Sequence, residues 1–324
     1  MSDWLDFIEK QTINDGALAD NAKTALTQFG VIKITGDDRL TFLQGQLTND
    51  INKTSEGNSQ LSAYCSPKGR ILTSFRIIPI KDGLLMVLAK DRLDETLKRL
   101  RMFVLMSKVV LEDVSDALYI VEYSGQNATD GLGLSLPDLP NQTIEDNDII
   151  TVRIPGDRHR AWVIANSITS RTLWQTSVAN ACSIEQWQLL DIRAGIPTIY
   201  QATSDAFVPQ MVNLQLIEGV SFTKGCYTGQ EVVARMQYLG KLKRRMYRAV
   251  INGDTPEAGT ELFSASTNSG QGAGKVVNAA MNDEGKIEIL IVTPISAIEA
   301  DDLHVGSPDG PKVTTLDLPY AYAE

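Results

Sequence analysis

The sequence predicts an α+β fold that ends in a small all-β barrel or sandwich. Three observations carry that prediction. Helical and antiparallel-strand patterns follow one another up to about residue 243 without the steady strand–helix alternation of a doubly wound sheet. A loop rich in Gly, Pro and Asp, from Gly125 to Asn147, separates two similar units. From about Arg245 onward, short apolar stretches and tight turns replace every helical period.

The first strand runs from Gly30 to Thr35, where Val31, Ile32 and Ile34 are apolar and β-branched. Gly36-Asp37-Asp38 breaks it, and either aspartate can cap a helix carrying Leu40, Leu43 and Leu47. A strand at Leu61–Cys65 meets the turn Ser66-Pro67-Lys68-Gly69, and the run Ile71–Ile80 pairs through Lys81-Asp82-Gly83 with Leu84–Ala89. Asp91 opens a helix with Leu93, Leu97 and Leu100 on one side, and strands at Val109–Leu111 and Leu118–Tyr123 follow. The second unit reads as strands Ile149–Ile154 and Ala161–Ala165 and a helix containing Leu173 and Val178. A further helix is opened by a Ser183/Gln186 capping box and stopped at Gly195 ahead of Pro197. The last segment alternates Tyr247–Ile251, Lys275–Val277 and Ile287–Val292 with turns such as Asn252-Gly253-Asp254. These textures divide the chain into lobes at 1–125 and 126–243 and an all-β domain at 244–324.

Composition narrows the function classes. With 30 Lys+Arg against 40 Asp+Glu, the 324-residue chain carries a net charge of −10. That balance argues against a general nucleic-acid binder, whose affinity comes from neutralising phosphates. Cys65, Cys182 and Cys226 are far apart and odd in number, which fits a reducing compartment rather than a disulfide framework. With two histidines in unrelated contexts and no Cys-x-x-Cys spacing, no self-contained metal site is expected. The opening MSDWLDFIEKQ lacks the basic head and apolar stretch of a signal peptide, and the longest apolar runs are strand-sized. A cytoplasmic globular protein with no membrane association is expected.

The segment that carries chemistry is Phe222-Thr-Lys-Gly-Cys-Tyr-Thr-Gly-Gln-Glu231. Its glycines let the backbone turn tightly or approach a ligand, and Glu231 begins a run of helix-forming residues. Cys226 is thereby expected in a loop before a helix N-terminus, with Lys224 adding positive charge. That setting favours thiolate chemistry, which a nearby Glu231 would oppose. On residues alone two readings of Cys226 stand: a reactive thiol, or a small buried hydrophobe. A second candidate is Lys241-Leu-Lys-Arg-Arg-Met-Tyr-Arg248, which reads as a solvated strand edge, as a contact for an acidic ligand tail or client protein, or as an RNA contact.

Lys224-Gly-Cys-Tyr-Thr-Gly-Gln-Glu231 resembles the signature of the YgfZ family of folate-binding, tRNA-modification and iron–sulfur-assembly proteins. Leu43-Gln-Gly-Gln-Leu-Thr-Asn-Asp50, Lys68-Gly-Arg70, Gln186-Trp187 through Ala194-Gly-Ile-Pro197, Asn213-Leu-Gln215 and Leu318-Pro-Tyr320 agree with it in order. The resemblance implies a relative of the glycine-cleavage aminomethyltransferase: ferredoxin-like lobes and a C-terminal β-barrel ringed around a tetrahydrofolate pocket. It also implies a protein that supports iron–sulfur enzymes, such as the radical enzymes that thiomethylate tRNA, with no direct nucleic-acid contact. It makes Cys226 and Lys224 the functional centre and Phe29, Trp187, Tyr227, Gln230 and Glu231 the folate contacts. Phe29 stands where relatives carry tryptophan, keeping a stacking face but no indole N–H. Where aminomethyltransferases supply an acid pair, this chain reads Ile71-Leu72-Thr73-Ser74, and hydroxyls do not replace a carboxylate in proton transfer near neutral pH. The alternatives are a true folate-dependent one-carbon transferase and a scaffold with a vestigial pocket.

Overall fold

The computed structural model describes residues 3–14, 16–240, 242–266 and 272–322, the side chains of residues 55 and 56 excepted. Lys241, part of the basic segment, lies outside them. Three sheets carry the fold. The first orders Gln60–Cys65, Ile71–Ile80, Gly83–Ala89, Phe29–Thr35 and Val110–Asp113 side by side, all antiparallel. The helix Lys90–Val104 covers one face, burying Leu93, Leu97 and Leu100 against Ile32, Ile34 and Met86. The expected cap of the preceding helix takes another form. That helix is Arg39–Gln44, and Asp38 makes no side-chain cap to it. Its Oδ2 instead accepts the Lys108 N–H at 2.8 Å, tying the helix entry to the chain beyond Lys90–Val104.

The second sheet draws strands from both sides of residue 125, in the order Asn180–Ala181, Ala22–Ala25, Tyr119–Ser124, Arg160–Ala165, Ile149–Arg153 and Thr143–Asp146. Two helices flank its strand Asn180–Ala181 in sequence. Ser167–Thr176 ends before Val178, contrary to the reading that put both Leu173 and Val178 on it: Ser177 is extended, and Val178 is 80% exposed. Ile184–Arg193 begins with the Ser183 hydroxyl accepting the Gln186 N–H. The capping box is only half formed, because the Gln186 amide donates to the Gly16 carbonyl instead.

The third sheet, a curled half-barrel, orders His304–Val305, Glu261–Phe263, Gly274–Met281, Ile287–Pro294, Arg244–Ile251 and Thr314–Leu316. Among the described residues, one short helix, Ile295–Glu299, interrupts this otherwise all-β region. The helix Ile184–Arg193 packs its Leu189 and Ile192 into the core shared with Val277, Ala280 and Leu290, joining the second unit to the third. Gly195, which ends that helix, has φ +66°, and a Cβ there would stand 2.6 Å from the Tyr320 ring. Only glycine meets both demands, and Tyr320 Oη donates to the Gly195 carbonyl at 2.9 Å.

Candidate functional site

The strand Tyr119–Ser124 is buried along its whole length, yet it carries Glu122, 2% exposed. A carboxylate at such a depth requires partners. Register places Trp162 directly opposite Glu122 and Arg160 two residues along the same strand, on the same face. Arg160 donates Nε to one Glu122 oxygen at 2.8 Å and Nη2 to the other at 3.0 Å. The Trp162 indole N–H reaches the second oxygen at 2.8 Å, and that of Trp187, from the helix Ile184–Arg193, at 3.0 Å. Arg160 Nη2 also holds Asp191 at 2.6 Å, one helical turn beyond Trp187. Burial pushes the Asp191 carboxyl up to about 6, with Arg160 opposing and Glu122 adding to the shift. Burial likewise brings the Arg76 guanidinium down to about 10. For Arg160 burial acts in the same direction, but Glu122 and Asp191 outweigh it and leave the guanidinium above its ordinary value.

This cluster walls a narrow hollow lined by Phe29, Ser74, Arg76, Trp162, Asp191 and Thr198, with a volume of ≈ 40 Å³, little more than a water's share. Leu61 lines it and also lines a wider outer hollow of ≈ 400 Å³, bounded by Asn49, Gln60, Asn141 and Glu218. Arg76 forms the partition, donating to Ser59 Oγ at 2.9 Å and Asn141 Oδ1 at 2.7 Å. Gln60, 8% exposed, lines the outer hollow, and neither polar atom of its amide has a partner.

Phe29 stands edge-on to Trp187, ring centroids 5.2 Å apart at 85°, and 5.6 Å from Trp162. Trp187 is 1% exposed and supports the wall from behind, while Trp162 joins Phe29 in facing the hollow. Ser74 also lines the hollow, but its hydroxyl donates to the Pro197 carbonyl and accepts the Ile199 N–H, so it is already engaged. The carboxyl present there is Asp191, from a different element, and sequence reading missed it together with Glu122, Arg160, Trp162, Arg76 and Gln60. A signal existed for some of them: a lone acid inside Tyr-Ile-Val-Glu-Tyr and a lone base opening Arg-Ala-Trp-Val-Ile, each in an otherwise apolar strand.

The signature residues sit elsewhere. The helix Gln230–Tyr238 starts where the sequence places it, with Gly229 at its N-cap at φ +84°. A Cβ on Gly229 would stand 2.4 Å from the Ser66 carbonyl, so this glycine allows the loop to close on the Ser66–Gly69 turn; Gly225 meets no such constraint. Lys224 differs from expectation. It is 9% exposed, and its ammonium is turned inward, donating to the carbonyls of Gln44 at 2.7 Å and Leu47 at 2.5 Å. It also lies 5.0 Å from the Tyr227 ring centroid. Burial lowers its pKa to about 8, against the pull of Asp50. Tyr227 is buried and Cys226 is exposed. Gln230 lies half-buried and Glu231 exposed in the first turn of the helix.

The predicted site residues therefore fall into two groups. Phe29 and Trp187 stand at the hollow; Lys224, Cys226, Tyr227, Gln230 and Glu231 surround the loop. The strand Gln60–Cys65 links them, with Leu61 at the hollow and Ser66, just past its end, at the loop. Leu61 and Ser66 are five positions apart, about 17 Å at ~3.3 Å per residue. The basic segment is drawn into internal contacts. Arg245 lies 4.6 Å from the Tyr322 ring centroid, Arg244 donates to the Gly272 carbonyl, and Arg248 pairs at 2.7 Å with buried Glu288, which Arg193 also reaches.

The three sheets and their helices together form an aminomethyltransferase-like fold. The glycine cleavage system aminomethyltransferase T from Bartonella henselae has this fold, with a TM-score of 0.71 over 93% of this chain and 86% of that one, at 13% identity. No family model matches the chain. Among curated proteins, the tRNA-modifying protein YgfZ of Colwellia psychrerythraea is 31% identical over 301 residues, covering 91% of this chain and 92% of the relative. That of Yersinia pestis (strain Pestoides F) is 30% identical over 313 residues, covering 93% and 92%. The chain belongs to the YgfZ family. Among the described residues no helix is long and apolar enough to cross a membrane.

Proposed function

We propose that this protein binds a reduced folate in the paired hollows and supports the maturation or repair of iron–sulfur enzymes through Cys226, thereby serving tRNA modification such as thiomethylation. The observation that carries the reading is the exposed Cys226, held on a loop whose lysine is anchored inside the protein, in a chain that also has an aromatic hollow with a buried acid. The residues fit a pterin. Gln60 offers an unpaired amide, Asp191 a carboxyl whose proton is retained up to about pH 6, and Phe29 and Trp162 apolar faces. The inner hollow is too small for a ring as it stands, so entry requires the Arg76 partition or Phe29 to shift. Bound tetrahydrofolate would supply a one-carbon carrier. The chain's own groups would hold it: Gln60 and Asp191 along a polar edge, and Lys53, at the rim of the outer hollow, near an acidic tail. The clients are iron–sulfur enzymes such as radical tRNA thiomethylating enzymes, met at the Cys226 surface, so that the link to tRNA is indirect and the working compartment cytoplasmic.

Calorimetry with a stable formyl derivative of tetrahydrofolate tests the binding half. Wild type should bind one equivalent, and Asp191→Asn should weaken it by about tenfold, the cost of one buried hydrogen bond to a charged partner. Wild type that fails to bind would end the folate reading. For the thiol half, Cys226→Ala should fold as wild type yet fail to restore client activity in cells lacking the protein. A second reading, a folate-dependent one-carbon transferase, is favoured by Asp191, which brings a carboxyl to the hollow although the strand through Thr73-Ser74 does not. It requires turnover of methylene- or methyl-tetrahydrofolate, which Asp191→Asn would abolish.

A further inference from the structure

The helix Lys90–Val104 ends in an apolar turn open to water. Its last residues and the chain just beyond expose Met102, Phe103, Leu105, Met106 and Val110, five large apolar side chains within nine positions, Leu105 at 87% and Met106 at 96%. Apolar residues scattered singly over a surface are ordinary, whereas a cluster of this kind marks a place where another molecule sits. Leu105 holds φ +41°, a backbone that L residues rarely adopt, and still presents its side chain to solvent. The turn is braced at several points. Ser107 donates its N–H to the Val104 carbonyl at 2.7 Å, and Arg101 reaches the Leu111 carbonyl at 2.7 Å. Lys108 is tied twice to Asp38, its N–H donating to the carboxylate at 2.8 Å and its carbonyl accepting the Asp38 N–H at 3.3 Å.

Charge and position indicate what covers this turn. From Thr96 to Leu111 the sequence has four bases and no acid, in a chain where acids outnumber bases 40 to 30. Lys98, Arg101 and Lys108, on either side of the turn in sequence, stand exposed, and one acid, Asp37, comes within 3.7 Å of Lys108. A partner face carrying Asp and Glu complements that local excess. The turn is also continuous with the thiol surface. Asp38, which pins Lys108, opens the helix Arg39–Gln44, and the Gln44 carbonyl at its far end accepts the Lys224 ammonium, two residues before Cys226. That helix has six residues and separates the two anchors by about 9 Å at ~1.5 Å per residue. We propose that residues 98–110 form the docking surface for the iron–sulfur client, receiving an apolar face rimmed by acidic side chains. The inference rests on the client reading of Cys226 and gives it a recognition element. Met102 and Met106 suit clients that differ in sequence, because unbranched thioether side chains repack against unlike surfaces.

Calorimetry on the full chain with a purified radical tRNA thiomethylating enzyme tests it. Wild type should bind, and Leu105→Gly combined with Met106→Ser should weaken binding by roughly tenfold or more. Glycine relieves the positive φ, so this variant should melt no earlier than wild type, which separates lost contact from lost fold. Lys98→Glu combined with Lys108→Glu should weaken binding by roughly tenfold at low salt and by less at high salt. Both variants should keep the wild-type affinity for a formyl derivative of tetrahydrofolate and the wild-type labelling rate of Cys226, yet restore less client activity in cells lacking the protein. A wild type that does not bind the enzyme brings down the client reading and the docking surface together. Enzyme binding by wild type that both variants match overturns the docking surface alone. Self-association of wild type that Leu105→Gly with Met106→Ser abolishes assigns the turn to a second copy, and binding to phosphatidylglycerol vesicles in place of the enzyme assigns it to a membrane; either result overturns the proposal.

Discussion

Replacing Glu122 by glutamine tests the polar centre of the molecule. The carboxylate accepts four hydrogen bonds: two from Arg160 and one each from the indoles of Trp162 and Trp187. Turned to keep its oxygen where three of those donors converge, the glutamine amide points its N–H groups at Arg160 Nε, donor against donor. Breaking a buried ion pair from one side costs ~3–5 kcal/mol. Asp191 still faces Arg160 at 2.6 Å and keeps one countercharge in place, so a loss of roughly 2–4 kcal/mol is expected. Against a typical stability of ~5–15 kcal/mol this is large. Glu122→Ala also strands both indole N–H groups, at ~1–3 kcal/mol each, and should prevent folding at growth temperature. The assay is urea unfolding followed by tryptophan fluorescence, which reports on Trp162 and Trp187 directly. The companion is an Arg160→Met, Glu122→Gln double-mutant cycle, in which coupling should exceed ~1 kcal/mol. Stability of Glu122→Gln within ~0.5 kcal/mol of wild type would show that the four contacts do not hold the core together.

Four further outcomes are expected. Because the folded Asp191 carboxyl holds its proton more tightly than in the unfolded chain, its contribution to stability is full below about pH 4 and is lost as pH rises through about 6. The slope is at most ~1.4 kcal/mol per pH unit, and the unfolding curves of Asp191→Asn should lack it. Lys224 has the opposite sign for stability, since its folded pKa is depressed to about 8. Wild type should gain on Lys224→Met as pH rises from 8 toward 10.5, measured by thermal melts across that range. Gly195→Ala forces a methyl group at φ +66° into Tyr320 and should cost about 2–4 kcal/mol in chemical unfolding. Cys226→Ala, at an exposed position, should change unfolding free energy by less than ~0.5 kcal/mol.

What the sequence made legible was local. The Ser183 cap, the helix after Gly229 and the stop at Gly195 each depend on residues within one turn of each other, and each stands where the spacing puts it. The inner cluster was not legible, because its partners come from afar. Glu122 meets Arg160 thirty-eight residues on and Trp187 sixty-five, and nothing local distinguishes a paired acid inside a strand from an edge charge. Lys224 shows the same limit. Its neighbours in sequence put its charge beside Cys226, whereas the carbonyls that hold it belong to residues about 180 positions earlier. Val178 failed for a smaller reason: an apolar residue at helical spacing does not reveal that the backbone has already turned extended at Ser177.

The unequal shielding of the three sulfurs has a practical side. Cys65 and Cys182 are sealed, burial pushing the first up to about 12 and raising the second, while Cys226 alone lies open to reagents. Thiol-selective reagents reaching this protein are steered to a single atom, at the position where the proposed work is done. The native chain is accordingly ready to take one dye or spin probe there, with no engineering of the other two cysteines.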